Sequence, residues 1–361
     1  MQTLQPTLRL GRDAWNRDAM PVEEFHGRVA RLRALMRPLD LDALLLYGRG
    51  LNHCGHPTYV SNYIVKLPFS ALVVLPREGE LALMFEGATR GRAAAGATTW
   101  MEDVRPCWNL AGECVQILKE RNLLRGRIGL AGLPRLMPFA EWRALTGGLE
   151  AGALVDVEAQ VDAVRMLKSP RELAQIERAT HLVHTALAGA SRMERAADEM
   201  ALAAGVIREA RRLGAEDIRV ALGRHMDGRW VFAPPQRATL ATGDRFAITV
   251  AASWERYWSE STRTFDVRAE GLANAWNAET EARFRDITSR ARPGALLADL
   301  TTARTGGVSA IESHGIGITP EEPPALTPDS TMRLESGMVV VVRAAFEEAG
   351  GPVVLGGTVM L

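Results

Sequence analysis

Ser169-Pro170-Arg171-Glu172 constrains the fold of this chain more than any other stretch, because it starts a long helix at a definite residue. Ser169 can cap the helix, Pro170 suits the first helical position, and Glu172 can return a hydrogen bond to the cap. Leu173, Ile176, Thr180, Val183 and Leu187 then recur at helical spacing and line one face. The patterning before this helix differs from the patterning after it. A chain of 361 residues is long enough for two cores. The change of pattern places the division just before the helix, giving residues 1–164 and 165–361.

In the first part, Phe25, Val29, Leu32, Leu35 and Met36 predict an amphipathic helix over 22–36. Short apolar runs predict strands over 41–47, 70–75 and 80–85, and Pro76-Arg77-Glu78-Gly79 joins the last two as a hairpin. A helix over 115–124 and a strand over 127–131 continue the alternation, which makes this part an α/β domain. The second part is expected to hold helices over 196–213 and 272–291. Its strands are expected over 246–250, 261–267, 338–343 and 353–360. The fold class is α/β (α+β), with no internal repeat.

Lys plus Arg and Asp plus Glu number 43 each, so no global charge favours nucleic acid or an anionic membrane surface. Arg28, Arg31 and Arg33 are spaced as the solvated face of a helix. The polar residues 1–20 hold no signal-peptide core, and no run of ~18 apolar residues occurs. Three scattered cysteines, Cys54, Cys107 and Cys114, fit a reducing compartment, so a cytoplasmic protein is expected. Asn52-His53-Cys54-Gly55-His56 lacks the second ligand pair that a zinc site needs.

Several motifs follow one another in order. They are Arg165-Met166-Leu167-Lys168-Ser169 through Glu172, Gly243-Asp244, and Ser259-Glu260-Ser261-Thr262-Arg263-Thr264-Phe265. After them come His314-Gly315-Ile316-Gly317, Glu322 with Pro324, and Leu334 with Gly337-Met338-Val339. This succession resembles the C-terminal domain of the pita-bread superfamily, which includes creatinase, prolidase, aminopeptidase P and methionine aminopeptidase. Tyr59-Val60-Ser61-Asn62-Tyr63 and its surroundings resemble the creatinase-type N-terminal domain. The resemblance covers almost the whole chain.

It implies five positions that hold two divalent ions in the metal enzymes of the superfamily. Here those positions carry Thr249, Glu260, His314, Arg343 and Gly356. Arg343 is a fixed cation and offers no acceptor, so a site without metal is expected, and no cofactor. The position of a further histidine used by creatinase-like members carries Phe232, and Glu321 stands where a histidine follows the His314 motif. Creatinase and ectoine hydrolase also work without metal, but creatinase keeps the two glutamates and the proton-transfer histidine lost here.

The residues themselves leave alternatives open. His314 is a candidate acid or base, or a histidine held by packing. Glu260 is a general base or the ion-pair partner of Arg343. The fork of Arg343 suits a substrate carboxylate. His225 is a second acid–base candidate on a loop roofing the pocket, with Trp230 and Phe232 as apolar lining and Tyr257 as a further contact. Glu321 and Glu322 face the pocket or the solvent. By resemblance to creatinase-like dimers, His53 or His56 reaches a neighbouring subunit's pocket, and a homodimer is expected. The expected function is a metal-independent hydrolase-type enzyme acting on a C–N bond of a small carboxylate-bearing substrate. Elimination or rearrangement stays open, because the metal-bound water of the family is gone. The alternative is a catalytically inactive pita-bread protein that binds a small molecule.

Overall fold

The structure is a computed structural model that describes residues 14–50, 52–66, 68–89, 91–149, 154–190, 198–302, 307–325, 327 and 330–361. The chain divides by its contacts after Arg165 into two compact units.

The first unit runs α1 (Val22–Met36), β1 (Ala43–Arg49), α2 (Gly55–Ser61), β2 (Ser70–Pro76), β3 (Ala82–Glu86), α3 (Gly91–Gly96), β4 (Asp103–Cys107), α4 (Leu110–Glu120), β5 (Ile128–Ala131), α5 (Leu133–Leu136), α6 (Phe139–Gly147), β6 (Leu154–Asp156) and α7 (Glu158–Met166). Its mixed six-stranded sheet has the order β4-β3-β2-β1-β5-β6. β2 and β3 form the expected antiparallel hairpin, and β1 pairs in parallel with β5. The apolar runs of β1 and β2 are buried because α4 and its neighbours cover the sheet. Leu45, Tyr47, Leu72 and Val74 pack there with Ile117 and Leu118.

The second unit begins with α8 (Pro170–Ala190) and α9 (Glu199–Arg212). The Ser169 hydroxyl accepts from the Glu172 amide at 3.2 Å, and the Glu172 carboxylate accepts from the Ser169 amide at 2.9 Å. The capping box is therefore closed in both directions. The remaining elements are β7 (Asp217–Met226), β8 (Arg229–Ala233), β9 (Arg245–Trp254), β10 (Tyr257–Arg268), β11 (Gly271–Asn274), α10 (Ala278–Ser289), α11 (Asp299–Thr302), β12 (Val308–Gly315), β13 (Glu322–Ala325), β14 (Val339–Glu348) and β15 (Gly351–Met360). They build one sheet in the order β13-β12-β14-β15-β10-β9-β7-β8, with β11 paired to β10. Leu182, Val183, Ala186 and Leu187 of α8 pack against Phe246, Ile248 and Val250 of β9 and Phe265 of β10. The helical face read from the sequence is thus the face laid on the sheet.

Two boundaries differ from expectation. The helix expected over 272–291 begins only at Ala278, because residues 271–274 extend β10's hairpin as β11. Asn277 caps that helix through the Thr280 amide. The helix expected over 115–124 starts earlier, at Leu110, capped by Asn109. The expected start of α9 at Ala196 lies outside the described residues, as do residues 1–13 of the polar N-terminal stretch.

Candidate active site

Paired strands project directly opposed residues to the same side of a sheet. Along one row of the second unit's sheet, Glu312 opposes Arg343, Arg343 opposes Gly356, Gly356 opposes Thr262, and Thr262 opposes Thr249. The neighbouring row runs from His314 through Val341 to Thr358, whose hydroxyl accepts from the Glu260 amide at 2.9 Å. Thr249, Glu260, His314, Arg343 and Gly356 therefore share one sheet face, although the first and last lie more than a hundred residues apart.

The centre of that face is an ion pair. Arg343 Nη2 donates to Glu260 Oε1 at 2.6 Å, and Arg343 Nη1 donates to Glu312 Oε2 at 3.0 Å. The guanidinium lies over the Phe232 ring at 4.8 Å, a cation–π contact. The two arms differ in surroundings: the Glu260 side chain is 10% exposed and the Glu312 side chain 68%. A contact to an exposed carboxylate is worth about 0–1 kcal/mol, so Arg343 is held chiefly by Glu260 and Phe232. Glu312 lies outside the site residues expected from the sequence. Its signal was the period of two, which puts it on the same face as His314.

These residues do not fit a pair of divalent ions. Arg343 occupies the middle of the face with donors only. The Thr249 hydroxyl is engaged with the Thr262 hydroxyl at 2.8 Å. Gly356 brings no ligand atom, and a Cβ there would already lie 3.0 Å from Thr262 and 3.4 Å from the Arg343 side chain. Only Glu260 and His314 keep groups that ligate metal, and Glu260 is neutralised by Arg343.

A cavity of about 490 Å3 opens against the same face, lined by Arg343, Phe232, Trp230, His225 and Glu312. β7 and β8 bring the first group there: His225 opposes Trp230 and Gly223 opposes Phe232. The His225 and Trp230 rings meet edge to face at 5.6 Å. The buried Trp230 indole N–H has no partner among the described residues. Gly223 is required, since a Cβ there would meet the Phe232 ring at 2.6 Å.

Other expected site residues lie apart from this cavity. His314 is half-buried on the shared face, and its Nδ1 donates to the Gly315 carbonyl at 2.9 Å. Its Nε2 has no hydrogen-bond partner among the described residues. Among the described residues, no hydrogen bond joins His314 to Glu260. Tyr257 was expected in the pocket and instead points to the other side, where its hydroxyl donates to Glu172 of α8 at 3.0 Å; odd positions of β10 face the helices and even ones the site. Glu322 is buried and structural: it accepts from the Thr319 amide at 3.0 Å and pairs with Lys168 at 3.4 Å. Glu321 beside it is exposed.

In the first unit, the exposed His53 forms a bridge with Arg49. His56 is buried and turned to Asp162 at 3.0 Å. His56, Glu158 and Asp162 converge within 4.8 Å. Arg135 and Arg165 already balance the two carboxylates.

A sequence model described as metallopeptidase family M24 matches residues 172–358, more than half of the chain. One described as the creatinase/prolidase N-terminal domain matches residues 28–167. The chain belongs to metallopeptidase family M24, the pita-bread creatinase/prolidase family. A search of curated proteins finds no match. Among solved structures, the X-Pro aminopeptidase from Thermotoga maritima superimposes with a TM-score of 0.72 at 18% identity, covering 91% of this chain and 93% of that one. The Xaa-Pro dipeptidase from Bacillus anthracis gives 0.70 at 18% identity, covering 93% and 95%. The prolidase from Pyrococcus horikoshii gives 0.69 at 18% identity, also covering 93% and 95%. At these identities the likeness concerns the family fold. No helix among the described residues is long and apolar enough to cross a membrane.

Proposed function

We propose that this family member is a metal-independent enzyme that binds a small carboxylate-bearing substrate against Arg343 and acts on its C–N bond. The observation that carries the reading is the Glu260–Arg343 pair at 2.6 Å, stacked on Phe232 at the wall of the cavity. A substrate carboxylate replaces exposed Glu312 on Nη1 at little cost, since that contact is largely hydrated. Glu260 stays on Nη2 and holds the fork in place. The ligand then meets one charge-assisted donor, Nη1, in a plane that Glu260 presets. His225 and Trp230 line the same cavity, so His225 is the titratable group placed to exchange a proton with a bound ligand. His314, with Nε2 free, serves the far end of the face. The family's description as a metallopeptidase family supports a C–N bond as the point of attack. Hydrolysis, elimination and rearrangement all use these groups, and a homodimer in the cytoplasm is part of the proposal.

Titration with small carboxylates tests it. Glu312→Ala removes the competing arm and tightens binding several-fold, whereas Arg343→Met abolishes it. Unchanged affinity in both variants overturns the anchor. Metal analysis of the purified protein is expected to find substoichiometric metal, and two bound equivalents of zinc, manganese or iron overturn the metal-free reading. A second reading, a small-molecule binder without catalysis, is favoured by the absence of any hydrogen bond among Glu260, His314 and His225 in the described structure. Loss of turnover in His225→Ala, with carboxylate binding retained, separates enzyme from binder.

A further inference from the structure

We infer that the opposite side of the sheet holds a second binding site, for a short-chain monocarboxylate, between α8 and β10 with Arg263 as its anchor. A cavity of about 210 Å3 lies there, lined by Arg263, Ser261, His184, Leu187, Phe265 and Trp276. That volume admits a small acid.

Arg263 is the unusual group. Elsewhere in the same unit, Arg224 meets Glu199, Arg245 meets Asp266, Arg256 meets Glu216 and Arg343 meets Glu260. Arg263 forms no ion pair among the described residues. Its hydrogen bonds all run through Nη1, to Ser261 Oγ at 3.0 Å, the Thr262 carbonyl at 2.8 Å and the Gly356 carbonyl at 2.7 Å. These contacts fix the guanidinium plane and leave Nε and Nη2 without a described partner. Burial holds the guanidinium below its ordinary range. A desolvated cation with a free edge is complementary to one carboxylate, the bidentate geometry that arginine prefers.

The rest of the lining selects the tail. Leu187, Phe265 and Trp276 are apolar, and Trp276 stands edge-on to Phe265 at 6.0 Å and 5.9 Å from the Arg263 guanidinium. An inorganic oxyanion would leave those surfaces wet, whereas a short aliphatic acid covers them and gains about 0.8 kcal/mol for each buried CH2 group. His184 and Asn274 stand at the exposed rim, where either can donate to the second carboxylate oxygen.

Calorimetric titration of the full chain with butyrate tests the site. The titration is made in an Ala310→Trp background, because that exposed position lines the cavity of Arg343 and a bulky ring there fills it. Saturable one-to-one binding of butyrate is expected in that background, with at least tenfold weaker binding of butyramide and of inorganic phosphate. Ala188→Trp fills the rear cavity from an exposed helix position and is expected to abolish the binding while Arg263 keeps its contacts. Arg263→Met abolishes it too. Butyrate binding that disappears with Ala310→Trp alone, or that persists with Ala188→Trp, overturns the second site and leaves the reading of Arg343 untouched.

Discussion

At position 343 a guanidinium stacked on Phe232 and held by Glu260 stands where the family resemblance places a carboxylate. The exchange has a steric counterpart at position 356. Glycine there leaves the space that the Arg343 side chain passes through, and a Cβ would press on Thr262 at 3.0 Å. Gly356→Ala is therefore expected to destabilise the protein by about 1–3 kcal/mol through overpacking and to weaken carboxylate binding by displacing Arg343. Chemical denaturation together with carboxylate titration checks both effects; full stability with unchanged binding refutes the steric argument. At this scale the sequence showed which residue types occupy the family positions. It offered the Glu260–Arg343 pair only as one of two readings, because a side chain's partner depends on strand register. The pairing of Glu312 with Arg343 and the buried role of Glu322 were hidden for the same reason.

At the scale of elements, local signals were read well where they are chemically specific. Ser169, Pro170 and Glu172 marked the start of α8 because a capping box is made by neighbours in sequence, and its hydrogen bonds are present at 3.2 and 2.9 Å. Ser169→Ala is expected to cost about 1 kcal/mol, seen as a lower denaturation midpoint with the denaturant slope unchanged. A larger loss would mean that Ser169 serves more than the cap. The boundary at residues 272–278 was misjudged because Leu272 and Ala273 suit a helix as well as a strand. Pairing of Asp266 with Ala273 and Val267 with Leu272 decided it. Tyr257 was misplaced for a similar reason: alternation along β10 shows that neighbours face opposite sides, but not which side holds the site.

For the whole molecule, two compact units with separate cores carry different liabilities. In the first, burial pushes the Tyr47 phenol up to about 12, and its hydroxyl donates to Ser70 at 2.9 Å. The unfolded phenol titrates near 10. A raised folded value contributes stability that is complete below pH 10 and is lost as pH rises through about 12. Stability should fall on the order of 2 kcal/mol across that window. Tyr47→Phe should lose less over the same range in urea unfolding at successive pH values, and an identical alkaline slope in both proteins refutes the assignment. The sequence by itself determined the family, the fold class, the long capped helix and the loss of most metal-binding residue types. These rest on residue identity and on spacing within short segments. Only the tertiary structure decided that Glu260 and Glu312 share Arg343 and that Arg263 faces a separate cavity. Each of those facts depends on which side of a sheet a residue faces and on which distant strand lies beside it, and both are set by pairing across the whole sheet.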